Sequence, residues 1–317
     1  MLQRTRSLQL ILDLRCNNNC TICGASWPLQ PCLDTEQAIQ RLQRGIQMDL
    51  REVVFSGGEV TLRHDLLELI QAARRLGYTS IVLLTNGRRL ANPGYLEALA
   101  RAGITCIGIS LHGHTAEVHE RITRSPRSFE QAVAGIKATR SILPEIPLSV
   151  NCVLNGDNYR YTVDIVRFLL TLDVRLVQLT YVVPVGRAKG IYFRLDTPSM
   201  SDTLPFVRNA VDIFLEDCHG IPGTSITLAF FPYCILRGLE RFSGDIGQSM
   251  SYFASVNGEL FLIDDEVARQ NLKAKRSECT LCHFSKLCGG VWQEYVDAKG
   301  WTEFVPIVEY SPEQVIE

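Results

Sequence analysis

The chain has 317 residues, 46% apolar and 21% charged, with a formal net charge of −2 at neutral pH. This is the composition of an ordinary globular enzyme with room for a sizeable core, and the balanced charge excludes the basic excess that draws proteins to nucleic acid or anionic membrane. Apolar runs such as Leu8–Leu12 are too short to span a bilayer, and Arg4 and Arg6 precede no signal-type core, so a cytoplasmic protein is expected.

Strand-like apolar runs alternate with helical periodicity. Strands are expected at Leu8–Leu14, Glu52–Phe55, Ser80–Thr85, Cys106–Leu111, Leu148–Leu154 and Arg175–Val183. Helices are expected at Thr35–Met48 behind Asp34, at Leu66–Leu76 between Asp65 and Gly77, and at Tyr95–Ala102 between Asn92-Pro93 and Gly103. Two more follow at Phe129–Ser141 behind Ser128 and at Tyr159–Leu172 behind Asn158. Six β-then-α units argue an α/β fold with a parallel sheet. Being fewer than the eight of a full barrel, they predict a partial, open (β/α)6 barrel. The charged stretch from His119 to Arg127 reads as a solvated face or a substrate-side loop, whose arginines suit a carboxylate or phosphate. His112 and His114 flank Gly113 at a strand end, as substrate contacts or as ordinary loop histidines.

A longer helix is expected over Ser201–Cys218. Beyond Gly220 glycine and proline punctuate the chain, and Tyr252–Ile263, with Asn257-Gly258 at its middle, reads as a β-hairpin. Two domains follow from this change of character: residues 1–219, and a small α+β domain over residues 220–317.

Eleven cysteines are many for a reducing compartment, where metal ligation explains them better than disulfides. Cys16, Cys20 and Cys23 form a CxxxCxxC loop after the first strand. Three thiolates there leave one position open on an iron–sulfur cluster, whereas zinc wants a fourth ligand and only Cys32 is near. After the second strand comes Ser56-Gly57-Gly58-Glu59. Its glycines let backbone approach a ligand, and its carboxylate suits an ammonium group. Near the other end stand Cys279, Cys282 and Cys288, a zinc knuckle completed by His283 or Cys234, or a second iron–sulfur site. Cys106 and Cys152 lie in strand patterns and read as buried.

Together, Cys16-x3-Cys20-x2-Cys23 and Gly57-Gly58-Glu59 resemble the radical S-adenosylmethionine (SAM) superfamily. The resemblance implies a [4Fe–4S] cluster on Cys16, Cys20 and Cys23 whose open iron takes the amino and carboxylate groups of SAM. Gly57, Gly58 and Glu59 would bind the amino group, and Ile22 would pack near the adenine. Thr85, Asn86, Ser110, Ser149, Asn151 and Arg187, the last in Pro184-Val185-Gly186-Arg187, match strand-end positions that contact SAM in members similar to the molybdenum-cofactor cyclase. The C-terminal region resembles the SPASM and twitch extensions. It departs from the SPASM run, with Trp292 at the last cysteine position and no upstream cysteine element, so the resemblance implies one auxiliary [4Fe–4S] cluster on Cys234, Cys279, Cys282 and Cys288.

The implied chemistry is reductive cleavage of SAM to a 5′-deoxyadenosyl radical that abstracts a substrate hydrogen, the auxiliary cluster passing an electron or binding substrate. Relatives with such extensions modify ribosomally made peptides by cross-linking, rearrangement or excision; others oxidise or rearrange small metabolites. Only fifteen residues precede Cys16, so a peptide substrate is expected to need a separate leader-binding partner, and flavodoxin or ferredoxin is expected as reductant. The competing class is a non-catalytic scaffold that binds zinc.

Overall fold

The computed structural model describes residues 5–24, 32–190, 193, 196–244, 248–256, 259–264 and 270–310, with backbone alone for 5, 6, 248–256 and 259–264. Strand and helix alternate as β1 Thr5–Ile11, α1 Thr35–Gln47, β2 Glu52–Ser56, α2 Leu66–Leu76, β3 Ser80–Thr85, α3 Pro93–Ala102 and β4 Cys106–Ser110. Then come α4 Ala116–Thr123, α5 Ser128–Ile142, β5 Leu148–Leu154, α6 Thr162–Thr171, β6 Leu176–Tyr181, α7 Met200–Cys218 and β7 Ser225–Ala229. The strands β8 Gln248–Val256 and β9 Glu259–Asp264 precede a short antiparallel pair, β10 Lys273–Ala274 with β11 Val291–Trp292, and a last helix, α8 Gln293–Lys299.

Local chemistry sets these boundaries. The Asp34 carboxylate accepts from the Gln37 backbone N–H at 2.8 Å and the Gln37 side chain accepts from the Asp34 N–H at 3.1 Å, a reciprocal cap on α1. Helix α2 stops at Gly77 with φ 96°, a conformation glycine adopts without a Cβ penalty.

Nine strands form one sheet in the order β7-β6-β5-β4-β3-β2-β1-β8-β9. All neighbours from β7 through β8 are parallel, and β9 returns antiparallel on β8. Side-chain alternation divides the sheet into two faces. Leu10, Phe55, Leu83, Ile107 and Leu148 lie in one register row and are buried with helix residues such as Leu42, Leu69 and Leu99. The opposite face carries Leu84, Ser110, Ser149, Asn151 and Gln178. Among these Leu84 and Gln178 are exposed and the rest half-buried.

Several expectations change. Strand β1 ends at Ile11, not Leu14; beyond it residues 12–15 run beside the end of β2, where Leu12 N–H donates to the Ser56 carbonyl at 3.0 Å. The stretch after His112 holds a helix, α4, capped by the Thr115 hydroxyl on the Val118 N–H at 3.4 Å. Seven consecutive strands, β1–β7, run parallel rather than six, because β7, which follows α7, continues the sheet beyond β6. Strands β8 and β9 also join this sheet, β8 pairing with β1, so pairing crosses Gly220. Tyr252 pairs with Ile263 as the hairpin requires, and the Asn257-Gly258 turn lies outside the described residues.

Candidate functional site

The site grows from the way β1 and β2 end side by side. Gly58 N–H donates to the Asp13 carbonyl at 2.6 Å and Glu59 N–H to the Arg15 carbonyl at 2.8 Å. This approach leaves no room for side chains: a Cβ on Gly57, where φ is 137°, would lie 2.3 Å from the Asp13 oxygen, and one on Gly58 2.3 Å from the Arg15 oxygen. The two glycines therefore first serve to seat the strand that delivers Cys16. Asp13 is fixed in turn. Burial raises its pKa, but hydrogen bonds from the Cys32 thiol at 3.0 Å and from Arg15 outweigh this and hold it at about 2.

Glu59 is 1% exposed and its carboxylate is held by its own chain. One oxygen, Oε1, accepts from the Thr61 hydroxyl at 2.5 Å, the Thr85 hydroxyl at 2.6 Å and the Thr61 N–H at 3.1 Å. The other, Oε2, accepts from the Asn86 N–H at 2.7 Å and has a lone pair left for one further donor. Thr85, expected to meet ligand, lies on the buried side of β3 and spends its hydroxyl on Glu59. Asn86 donates its side-chain amide to Asn17 Oδ1 at 2.6 Å and accepts the Arg88 N–H at 3.1 Å.

The cysteine loop is tied down on three sides. The Asn19 and Thr21 N–H groups donate to the Thr123 and Ile122 carbonyls, both at 2.9 Å, at the end of α4. Arg88 donates to the Asn17 carbonyl at 2.6 Å and to Asn18 Oδ1 at 2.8 Å. The Arg187 N–H donates to the Cys23 carbonyl at 3.0 Å, and its guanidinium donates to the Asn19 side chain. On this frame Cys16 is exposed and Cys20 and Cys23 are half-buried, while Ile22 packs against the main core. Burial pushes the Cys20 thiol up to about 12, with Cys23 and Cys16 next in effect. A thiolate there needs a cationic centre to hold it. Beside it Asn19, Cys20, Thr21, Arg124 and Arg187 line a polar recess of about 260 Å³.

Ser110, Ser149 and Asn151 share the open sheet face. Ser110 pairs with Asn151 across β4 and β5, and the Asn151 side-chain oxygen accepts from the Thr180 hydroxyl at 2.6 Å. His112 is excluded as a substrate contact. It is buried, its Nδ1 accepts from the Val153 N–H at 3.2 Å, and its own N–H donates to His119 Nδ1 at 3.1 Å.

The second cysteine set converges on one cavity. Cys234, Cys279, Cys282 and Cys288, all half-buried, line it together with Tyr233 and Trp301. Burial pushes Cys234 up to about 12, the other three thiols adding to the effect. The Gly290 N–H donates to Cys288 Sγ at 3.4 Å. Tyr233 stacks on Phe284 at 4.5 Å, forming a small core of its own with Ile307. Among the described residues no three His, Cys, Asp or Glu side chains stand close enough to hold one metal ion. Both donor sets are all-thiol, the ligand type of iron–sulfur clusters, so the residues present fit such a group.

Sequence reasoning missed α4 and Arg88, the loop's two main supports.

Comparison with known proteins places these features. Residues 11–169 match the family described as the Radical SAM superfamily. A probable GTP 3',8-cyclase of Methanopyrus kandleri is 30% identical over 190 residues, 59% of this chain and 60% of that protein. An AdoMet-dependent heme synthase of Methanosarcina barkeri is 29% identical over 193 residues, covering 59% and 54%. The match thus spans less than two thirds of these relatives' length. Among solved structures, anSMEcpe with bound AdoMet and the Cp18Cys peptide superposes with a TM-score of 0.67 at 18% identity, covering 94% of this chain and 95% of that one. Streptococcus suis SuiB bound to S-adenosylmethionine gives 0.66 at 15%, covering 96% and 76%.

Proposed function

The chain belongs to the radical SAM superfamily, and from that premise we propose that it modifies a ribosomally made peptide by cross-linking or backbone rearrangement. It is an enzyme that uses SAM and a [4Fe–4S] cluster. No helix among the described residues is long and apolar enough to cross a membrane.

In this reading Cys16, Cys20 and Cys23 hold the cluster, and the Oε2 lone pair of Glu59 takes the SAM ammonium beside Gly57 and Gly58. Asn86, fixed between Asn17 and Glu59, borders that pocket, with Thr85 holding Glu59 from behind. Ser110, Ser149 and Asn151 bind SAM from the open face, Ile22 packs on its adenine, and Arg187 faces its carboxylate. The bound pair supplies a 5′-deoxyadenosyl radical for hydrogen-atom abstraction. The chain's own work is to orient the target carbon and keep water out. Cys234, Cys279, Cys282 and Cys288 hold a second [4Fe–4S] cluster in a SPASM/twitch-like unit within residues 220–317, behind a core of residues 1–219 that β7–β9 extend and whose sheet is curled as a partial barrel. Flavodoxin or ferredoxin supplies electrons in the cytoplasm, and a separate leader-binding protein presents the peptide.

The observation that carries the peptide reading is the likeness in fold, over 94% and 96% of this chain, to two proteins solved with peptides, anSMEcpe with Cp18Cys and SuiB with SuiA. The second reading, small-molecule chemistry, is favoured by the cyclase and heme synthase relatives, whose match is confined to part of the chain. The test is to incubate reconstituted enzyme, SAM and dithionite with a perdeuterated tryptic peptide pool or with perdeuterated GTP, and to weigh the 5′-deoxyadenosine formed. Deuterium from the peptide pool supports the proposal. Deuterium from GTP alone supports the second reading, and zinc binding with no SAM cleavage returns the chain to a scaffold.

A further inference from the structure

The open sheet face carries a row of uncharged polar side chains. Ser110 of β4, Asn151 of β5, Gln178 of β6 and Thr227 of β7 lie in one register across four adjacent strands. They are exposed or half-buried. Asn151 is held by Thr180, whereas the side chains of Ser110, Gln178 and Thr227 have no hydrogen-bond partner among the described residues. A parallel strand flanked on both sides normally carries apolar side chains on both faces, and β6 keeps an amide at its centre in spite of that.

The row extends past the residues assigned to SAM. With strands ~4.8 Å apart, Gln178 lies about 10 Å from Ser110 along the row, and Thr227 one strand further. The neighbouring row on this face, Leu84, Gly108, Ser149 and Leu176, is also without charge. Cations lie instead in the loops, Arg124 and Arg187 beside the cysteine loop. A floor of hydroxyls and amides without charge matches a neutral group that both donates and accepts, such as a peptide unit. A phosphate or carboxylate would meet no cation among the described residues of these two rows.

We propose that Gln178 and Thr227 form the substrate-specificity row of this enzyme, receiving a backbone amide of a peptide substrate on the open face beyond SAM. The proposal rests on the SAM placement above and deepens the peptide reading. The amide of Gln178 pairs with a substrate peptide N–H and carbonyl, and Thr227 supplies a second hydroxyl contact. Both residues act by positioning the substrate.

The experiment uses the full reconstituted chain and the perdeuterated tryptic peptide pool as probe, following deuterated 5′-deoxyadenosine against pool concentration. Gln178→Leu removes both hydrogen-bonding groups at similar volume. It is expected to raise the pool concentration giving half-maximal transfer about tenfold, with the plateau little changed. Gln178→Asn is expected to recover part of that loss. Thr227→Val, which keeps the side-chain shape, is expected to give a threefold to tenfold rise (roughly one hydrogen bond) and stands as the test if Gln178→Leu loses iron or melts early. Transfer from peptides with an unchanged half-maximal concentration in Gln178→Leu and Thr227→Val overturns this proposal while the peptide reading stands. Deuterium from GTP alone overturns both.

Discussion

The two cysteine sets are held in different ways. The loop with Cys16, Cys20 and Cys23 is bonded to α4, Arg88 and Arg187, all parts of the large sheet-and-helix core, through contacts distant in sequence. The set with Cys279, Cys282 and Cys288 rests mainly on its own turns, such as Cys282 N–H to the Cys279 carbonyl at 3.2 Å and Cys288 N–H to the Phe284 carbonyl at 2.8 Å. Its private core is Tyr233, Phe284 and Ile307, and Leu281 and Leu287 beside it are 66% and 52% exposed. The loop that carries them buries little of its own, although Val291, Trp292, Tyr295 and Phe304 just beyond it belong to the main core; such a loop would draw its order from a bound group. The first site is preorganised by the core around it, while the second is expected to take its order from a bound group.

The strongest attack on this comparison is Gly58→Ala. Its Cβ would meet the Arg15 carbonyl at 2.3 Å, and because that atom is backbone the strand end must move. A loss of about 3 kcal/mol or more in stability is expected, together with iron lost from the first site, read by denaturant unfolding and iron assay. Gly300→Ala near the second site, where a Cβ meets nothing within 4 Å, is expected to bear only the backbone strain of its φ of 78° and ψ of −169°, about 1–3 kcal/mol.

Arg88→Ala comes next. It removes both bonds to the Asn17–Asn18 turn and the one to Gln131 at 2.6 Å. A cost of about 1–3 kcal/mol is expected, along with faster loss of the first cluster to a chelator and an unaltered rate at the second. Equal acceleration at both sites would erase the distinction between them.

The last effect vanishes at neutral pH and is a pH dependence beneath the first site. Burial lowers the pKa of His112 from 6.5 to about 4 and that of His119 to about 3, with the His112 charge second for the latter. Each uses Nδ1 as an acceptor, so protonation breaks a bond as well as burying a charge. The folded state binds fewer protons than the unfolded state between these values and 6.5. Stability is therefore full above about pH 6.5 and falls as pH drops toward about 4, by up to ~1.4 kcal/mol per pH unit for each histidine. His119→Phe is expected to flatten the slope of the unfolding free energy between pH 6 and 4.5.

Much of this was legible in the sequence, and where it failed the cause is physical. Periodicity and caps located α2 and β5 to the residue because Asp65, Gly77 and the alternating run Leu148–Leu154 are local signals. Helix α4 was hidden because its charged face mimics a solvated loop, while its buried positions Val118, His119 and Ile122 carry a histidine among them. The three cysteines and Gly57-Gly58-Glu59 announced a site, but not that the glycines serve backbone crossing or that Thr85 turns away to hold Glu59. Those facts depend on β1, β2 and β3 lying side by side. The pairing of β8 with β1 joins residues some 240 positions apart, and no local pattern encodes it.

The most direct test of two sites with different degrees of preorganisation is a cluster count by iron, sulfide and Mössbauer analysis on anaerobically reconstituted protein. The wild type is expected to hold two [4Fe–4S] clusters, about eight irons, and the Cys16→Ala/Cys20→Ala/Cys23→Ala variant one, about four, with SAM cleavage lost. Limited proteolysis of the iron-free wild type is expected to cut first within the loop of residues 277–290, where Leu281 and Leu287 are exposed, and to spare the core. A triple variant that retains both clusters or neither, or an iron-free chain cut first at the 16–23 loop, would contradict the account.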